Sequence, residues 1–235
     1  MKILAVDSSG MVASVAVLED DELIAEYTSN YKKTHSQTLL PMLDEVKKMI
    51  ELDLNTIDAI AVAAGPGSFT GLRIGSATVK GLGLALNKPI IPVPTVDALA
   101  YNLYGSNAII CPLMDARRNQ VYTGLYTFEN GKMEVLKEQC ALDIKEIIEI
   151  TNSFEREVIF LGDGVPVYKL QIEENIKVPY TYAPANCNRQ HASAVGALGK
   201  ILFEKGIVET AAEHAPEYLR LSQAERERNE KERNQ

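Results

Sequence analysis

Gly65-Pro66-Gly67-Ser68-Phe69-Thr70-Gly71-Leu72-Arg73-Ile74-Gly75 joins two segments of opposite character. Before it, residues 57–64 are apolar almost throughout, as in a strand buried on both faces. After it, residues 72–86 read as a helix, stopped by Asn87-Lys88-Pro89. This glycine-rich turn thus lies between a buried strand and a helix. It leaves backbone N–H groups free at a helix N-terminus, which is a sound anion site. The glycines equally suit a tight turn that packs closely. The loop is not a nucleotide P-loop, because no Gly-Lys-Ser/Thr follows and Lys80 lies well inside the helix. The spacing is also wrong for a dinucleotide fingerprint.

Upstream, residues 3–7, 12–18 and 23–27 read as three strands, with Glu19-Asp20-Asp21-Glu22 as a turn, so a β-meander is expected. Asp7-Ser8-Ser9-Gly10 fills the first turn. An acid followed by hydroxyls and glycine can hold a metal-bound phosphate or close an Asx turn on itself. Leu39, Leu43, Val46 and Ile50 then recur on one helical face. Thr34 and Gln37 have the spacing of a capping box, and Pro41 predicts a kink or a later start. Downstream, residues 90–93 read as a strand and 96–104 as a helix.

A second lobe begins near Gly105, with strands at 108–114 and 120–128. Asn130-Gly131 predicts a hairpin into 133–136. A helix at 144–150, a strand at 158–161 ending in Gly162-Asp163-Gly164, and a helix at 191–205 closed by Gly206 follow. The expected division is 1–104 as first lobe, completed by helix 190–206, and 105–189 as second. Both lobes open with strands and an Asp at a strand end, Asp7 and Asp115. Residues 223–235 hold four acids and four bases and read as a solvated helix or a disordered end.

Two helices carry more apolar or small surface than one sheet needs. Met42 and Met49 lie beside the 39–50 stripe, and Gly71, Gly75, Thr78 and Leu82 line one side of the next helix. Such surplus points to a subunit interface or to further cover from the same chain.

Composition narrows the classes. The 235 residues are 46% apolar, which excludes a disordered chain and allows a sizeable core. No apolar run approaches the roughly 18 residues needed to span a bilayer, and residues 1–7, which meet an acid after four apolar residues, do not read as a signal peptide. The net charge of −8 disfavours stand-alone nucleic-acid binding. Cys111, Cys140 and Cys187 are dispersed, as reduced thiols of a cytosolic protein would be. His35, His191 and His214 show no metal-ligand spacing and read as capping or solvated residues. No serine has a nucleophile-elbow context.

Met1-Lys-Ile-Leu-Ala-Val-Asp-Ser-Ser9, His35-Ser-Gln-Thr-Leu-Leu-Pro41, the Gly65–Gly75 string, Asp115-Ala-Arg117 with Val121-Tyr122, and Pro216-Glu-Tyr-Leu-Arg220 together resemble the TsaB (YeaZ) family. The resemblance runs in order from Met1 to Arg220, and the Gly65–Gly75 string is its most specific part. It implies a two-lobed fold of the actin/Hsp70/sugar-kinase (ASKHA) type. It implies a cytoplasmic, non-catalytic subunit that pairs with a TsaD-like threonylcarbamoyltransferase acting on adenosine 37 of tRNAs that read codons beginning with A. A TsaE-like ATPase joins that complex, and tRNA is met through the partners. Pairing, with TsaD or with a second copy, is implied through the two helices, on Leu39, Met42, Leu43, Val46, Gly71, Arg73, Gly75, Thr78 and Leu82. Asp7, Ser8 and Ser9 match the superfamily's first phosphate loop, Asp115 lies near the second, and Gly162 and Gly164 fall where such folds hold adenosine. In this family that pocket is degenerate; no cofactor or metal of its own is expected, and ATP or ADP belongs to the junction with the partner. TsaD-like relatives carry a metal-binding HxxxH whose positions fall here on Thr95 and Leu99, and leucine cannot ligate a metal. A small-molecule kinase or ATPase with Asp7 or Asp115 on a metal nucleotide is the competing expectation. A metallopeptidase is a third, disfavoured by the missing histidines.

Overall fold

The computed structural model describes residues 1–31 and 34–219, so the charged tail at 223–235 lies outside the described residues. The meander forms as expected: β1 (Lys2–Asp7), β2 (Ala13–Glu19) and β3 (Glu22–Ser29) pair antiparallel. Asp20 takes a left-handed φ of 52° in the acidic turn. β4 (Ala59–Gly65) then pairs parallel with β1, and β5 (Ile90–Pro94) with β4, giving the order β3-β2-β1-β4-β5. All seven residues of β4 are buried, because helices cover both faces of this sheet.

Between β3 and β4 runs α1 (His35–Met49). It begins four residues before the periodic stripe and continues through Pro41. Pro41 removes a bond to the carbonyl of Gln37, but both residues are exposed, so water can satisfy that carbonyl. No capping box forms: the Gln37 amide donates to the Thr34 carbonyl, and the Thr34 side chain makes no cap. α2 (Phe69–Leu86) starts three residues early because the Ser68 hydroxyl accepts from the Gly71 amide at 3.2 Å. It ends at Asn87, whose φ is 52°. α3 (Thr95–Tyr101) follows β5.

The second sheet repeats this topology. β6 (Ile109–Asp115), β7 (Gln120–Glu129) and β8 (Lys132–Asp143) form a meander, and β9 (Val158–Leu161) and β10 (Tyr180–Tyr182) add parallel strands in the order β10-β9-β6-β7-β8. Asn130 and Gly131 have φ of 52° and 75°, which suits the hairpin they predict. β8 runs seven residues past the expected end, since polar residues such as Lys137 and Glu138 belong to an edge strand. α4 (Ile144–Asn152), α5 (Gly164–Asn175) and α6 (Ala192–Glu204) complete the chain. Neither α5 nor β10 is marked in the sequence. The buried stripe of α5 is only Gly164, Tyr168 and Ile172, blurred by Val167 and Leu170 on its exposed side, and β10 has three residues.

Each sheet is covered on both sides. α1 and α2 seal one face of the first sheet around Leu4, Val6, Val15 and Ile60. α6 seals the other, with Ala192, Val195 and Leu198 against Ala5, Ala16 and Ala61. α4 and α5 cover the second sheet around Leu113, Phe160 and Ile148. Its remaining face is closed by α3, through Val96 and Leu99 against Ile110, Tyr126 and Leu161. Thus α3 bridges the two sheets, with Ala98 in the first core and Val96 and Leu99 in the second, while α6 leaves the second sheet and packs on the first. Polar bonds reinforce this crossing. Tyr126 donates to Asp97 at 2.7 Å, and Gln139 bridges the Val96 amide and the Gly65 carbonyl at 3.4 and 3.3 Å. Burial pushes the Asp97 carboxyl up to about 6, against the opposing Tyr126 bond.

Candidate functional site

The glycine-rich loop is wedged against the β1–β2 turn. A Cβ at Gly67 would strike the Ser9 carbonyl, one at Gly71 the Ser8 carbonyl, and one at Gly75 the Ser8 hydroxyl. The Ser68 amide donates to the Ser9 carbonyl at 2.6 Å, and the Ser8 hydroxyl to the Gly71 carbonyl at 2.9 Å. The amides of Ser68, Gly71 and Leu72 are therefore engaged within the chain, as the close-packing reading of the loop expects. The glycines serve close packing.

Asp7, Ser8 and Ser9 are brought together here and are all buried. One Asp7 oxygen accepts from both the amide and the hydroxyl of Ser9, at 2.8 and 2.7 Å, so the acid closes an Asx turn. Burial pushes its carboxyl upward, opposed by the Ser9 bonds. His35 ties α1 to this turn through the Gly10 carbonyl at 2.8 Å. Beyond the turn, Glu26 on β3 accepts from the Ser193 amide and hydroxyl, each at 3.0 Å, and pairs at 3.2 Å with His191, the residue at the N-cap position of α6. Burial alone would raise the Glu26 carboxyl, but these partners outweigh it and hold it at about 2. The same pairing raises His191. His214 corrects the expectation of solvated histidines: it is buried and bonded to Glu209 at 2.9 Å.

Asp115, Gly162 and Gly164 gather separately, in the second sheet. The Asp115 amide donates to Asp163 at 3.2 Å, and both glycines back onto the Leu113 carbonyl. Beside them, at the carboxyl ends of β9 and β10, lies a cavity of about 270 Å3 lined by Phe160, Gly162, Val165, Lys169, Tyr182 and Arg189. Arg189 donates to the Gly162 carbonyl at 2.9 Å, and the Lys169 ammonium sits 5.6 Å from the Tyr182 ring centre. No hydrogen bond among the described residues joins this group to Asp7, Ser8 or Ser9.

At the positions matched to the HxxxH, the Thr95 hydroxyl accepts from the Gly65 amide at 3.1 Å, and Leu99 is 1% exposed in the core. Among the described residues no three His, Cys, Asp or Glu side chains converge as a metal site. Cys111, Cys140 and Cys187 are unpaired, and burial pushes the Cys111 thiol up to about 12. No helix among them is long and apolar enough to cross a membrane.

The helical stripes face inward. Leu39, Met42, Leu43 and Val46 are all in the core, none more than 8% exposed. Gly71 and Gly75 meet the β1–β2 turn, Leu82 packs against the core, and the Thr78 hydroxyl donates to the Ile74 carbonyl at 2.9 Å. Only Arg73 of that group is exposed. Its guanidinium lies 3.9 Å over the Phe69 ring, and its Nε donates to the Tyr218 hydroxyl at 3.2 Å. The outward surface of α2 is instead Thr70, Ala77, Gly81 and Leu84, with Leu84 65% exposed. Periodicity finds the stripe that is buried first, and that stripe belongs to the chain's own core. The signal for the outer surface is the second small-residue row, Ala77 and Gly81, running to Leu84.

Residues 22–228 match the family model described as TsaD, tRNA N6-adenosine threonylcarbamoyltransferase. The tRNA threonylcarbamoyladenosine biosynthesis protein TsaB of Bacillus subtilis is 36% identical over 227 residues, 96% of each chain. YeaZ from Pseudomonas aeruginosa superposes with a TM-score of 0.79 at 28% identity, covering 93% of this chain and 99% of that one. A ROK hexokinase from Thermus thermophilus gives 0.50 at 12% identity over 87% of this chain and 100% of that one, a likeness of fold alone. Two meander-plus-crossover sheets, with α3 bridging them and α6 crossing between them, and full-length likeness to these proteins, give the conclusion: the fold is of the two-lobed actin/Hsp70/sugar-kinase class, and the chain belongs to the TsaB (YeaZ) family.

Proposed function

We propose that this chain is a non-catalytic activating subunit that pairs with a TsaD-like threonylcarbamoyltransferase in the modification of adenosine 37 of tRNAs reading A-starting codons, in the cytoplasm. The observation that carries this reading is the 36% identity over 96% of both chains with a protein named for tRNA threonylcarbamoyladenosine biosynthesis. The side chains agree with it. Thr95 and Leu99 serve the fold where a metal-binding relative has histidines. Asp7, Ser8 and Ser9 are engaged with one another and with α2. The first lobe, residues 1–104 completed by the 190–206 helix, carries the pairing surface. On this reading the contact is the outer row of α2, Ala77, Gly81 and Leu84, edged by Arg73 and Thr78. A row of small residues lets a partner helix approach closely. A TsaE-like ATPase joins the pair, a homodimer uses the same surface when the partner is absent, and ATP or ADP binds at the junction.

The test is threonylcarbamoyl transfer to tRNA by the matching TsaD-like, TsaE-like and threonylcarbamoyl-AMP-forming proteins, with and without this chain. Transfer that depends on the chain, with co-elution of the pair, supports the reading. Transfer indifferent to it overturns the reading. ATP turnover by the chain alone that is abolished by Asp7→Ala would favour the kinase instead.

A further inference from the structure

Arg117, Arg118 and Asn119 form the turn between β6 and β7, and all three are left-handed, with φ of 61°, 57° and 59°. Asparagine tolerates that region; arginine is disfavoured there. The turn is held from several elements at once. Asp115 accepts from the Arg117 amide at 2.8 Å and from the Tyr168 hydroxyl of α5 at 2.8 Å. The Ala116 amide donates to the Gln120 carbonyl at 2.9 Å, and the Ile144 amide of α4 to the Asn119 carbonyl at 3.0 Å. A disfavoured backbone fixed by so many partners is the pattern found where strain serves a site.

The result is two guanidinium groups on adjacent exposed residues, with Lys145 following in the first turn of α4. Among the described residues none of these three cationic side chains has a hydrogen bond or ion pair. Of the acids beside them, Asp115 takes the Arg117 amide at 2.8 Å, Asp143 the Lys145 amide at 2.9 Å and Asp163 the Asp115 amide at 3.2 Å, while Glu146 follows Lys145 as an exposed acid in the first turn of α4. In a chain of net charge −8 this is a local group of unpaired cations. Residues 117–119 are all polar and exposed, so the turn offers no apolar surface to bury against a protein. Forked guanidinium groups suit phosphate oxygens, and a phosphodiester backbone repeats them along its length.

We propose that Arg117 and Arg118, with Lys145 beside them, contact the phosphodiester backbone of RNA. This rests on the reading of the chain as a subunit of a tRNA-modifying complex. It gives the chain a direct contact with tRNA, where the sequence alone implies only an indirect one.

The experiment measures tRNA affinity of the complex with its TsaD-like partner over a salt series, for wild type and for Arg117→Asn/Arg118→Gly. Asparagine and glycine accept a left-handed backbone more readily, so this variant keeps the turn and its melting temperature should not fall. The expected result is roughly tenfold weaker binding near physiological salt and a salt slope shallower by about 2, one for each lost phosphate contact. Lys145→Gln should lower the slope by about 1, and Lys205→Gln, an exposed cation at the end of α6, should leave it unchanged. An unchanged slope and affinity in the double variant overturn the proposal. So does a variant that loses the partner but keeps RNA affinity, which would make the turn a protein contact. If no complex forms at all, the pairing reading fails, and the same salt series on the chain alone decides the RNA contact.

Discussion

Leu84→Glu and Leu43→Glu place the same charge on neighbouring helices and should have opposite consequences. Leu84 is 65% exposed on the outer row of α2. In the isolated chain its replacement should change stability by no more than about 0.5 kcal/mol, as at other surface positions. Leu43 is 8% exposed among Leu39, Val46 and Ile60. A carboxylate there lacks a partner and should cost several kcal/mol, enough to unfold much of a marginally stable chain. Pairing should reverse the order of importance for Leu84. Burying the exposed two-thirds of that side chain is worth about 1–2 kcal/mol. Forcing a carboxylate into the same contact adds a desolvation penalty of a few kcal/mol. Together these predict at least a hundredfold loss of partner affinity, since each 1.4 kcal/mol is a factor of ten. The assay is a thermal melt of each isolated variant, followed by titration and sizing with the TsaD-like partner. A folded Leu84→Glu chain that pairs with wild-type affinity would refute the reasoning and move the contact away from α2. A folded, stable Leu43→Glu chain would refute the placement of α1 against the first sheet.

Gly71→Ala should lower stability by about 1–3 kcal/mol in a thermal melt, because the new methyl meets the Ser8 carbonyl, which is backbone and cannot rotate aside. The Glu26–His191 pair should make stability pH-dependent at both ends. Glu26 titrates from an ordinary 4.5 to about 2 on folding, so its contribution is complete above pH 4.5 and lost as pH falls towards 2. His191 is raised, so its contribution is complete below its ordinary 6.5 and lost as pH rises through the folded value. Denaturant melts of Glu26→Gln across pH should show both dependences flattened. Asp97 runs the other way: its folded carboxyl is raised to about 6 from 3.8, so ionising it opposes folding above that range. Asp97→Asn keeps an acceptor for Tyr126 and should be more stable than wild type at pH 7, with the difference vanishing below pH 4.

The architecture was legible where local chemistry and burial coincide. The acidic turn after Leu18, the Asn130-Gly131 hairpin, the wholly apolar run of β4 and the glycine loop each demand one backbone path, because propensity, turn chemistry and periodicity agree there. These elements, with the family resemblance of Gly65–Gly75, settle an α/β fold and a TsaB-type chain from the residues in order. Tertiary structure decided which surfaces are free. A stripe such as Leu39, Leu43 and Val46 records that a helix face is buried, not whether its cover is the same chain or another. Here that cover is the chain's own first sheet, so the outer row at Ala77, Gly81 and Leu84 is what stays open. The bridging of the sheets by α3, the crossing of α6 to the first sheet, the closure of Asp7 on Ser9, and the left-handed cationic turn at Arg117–Asn119 likewise depend on contacts between residues far apart in the chain or on dihedral angles fixed from outside the segment. Residue types alone do not specify those.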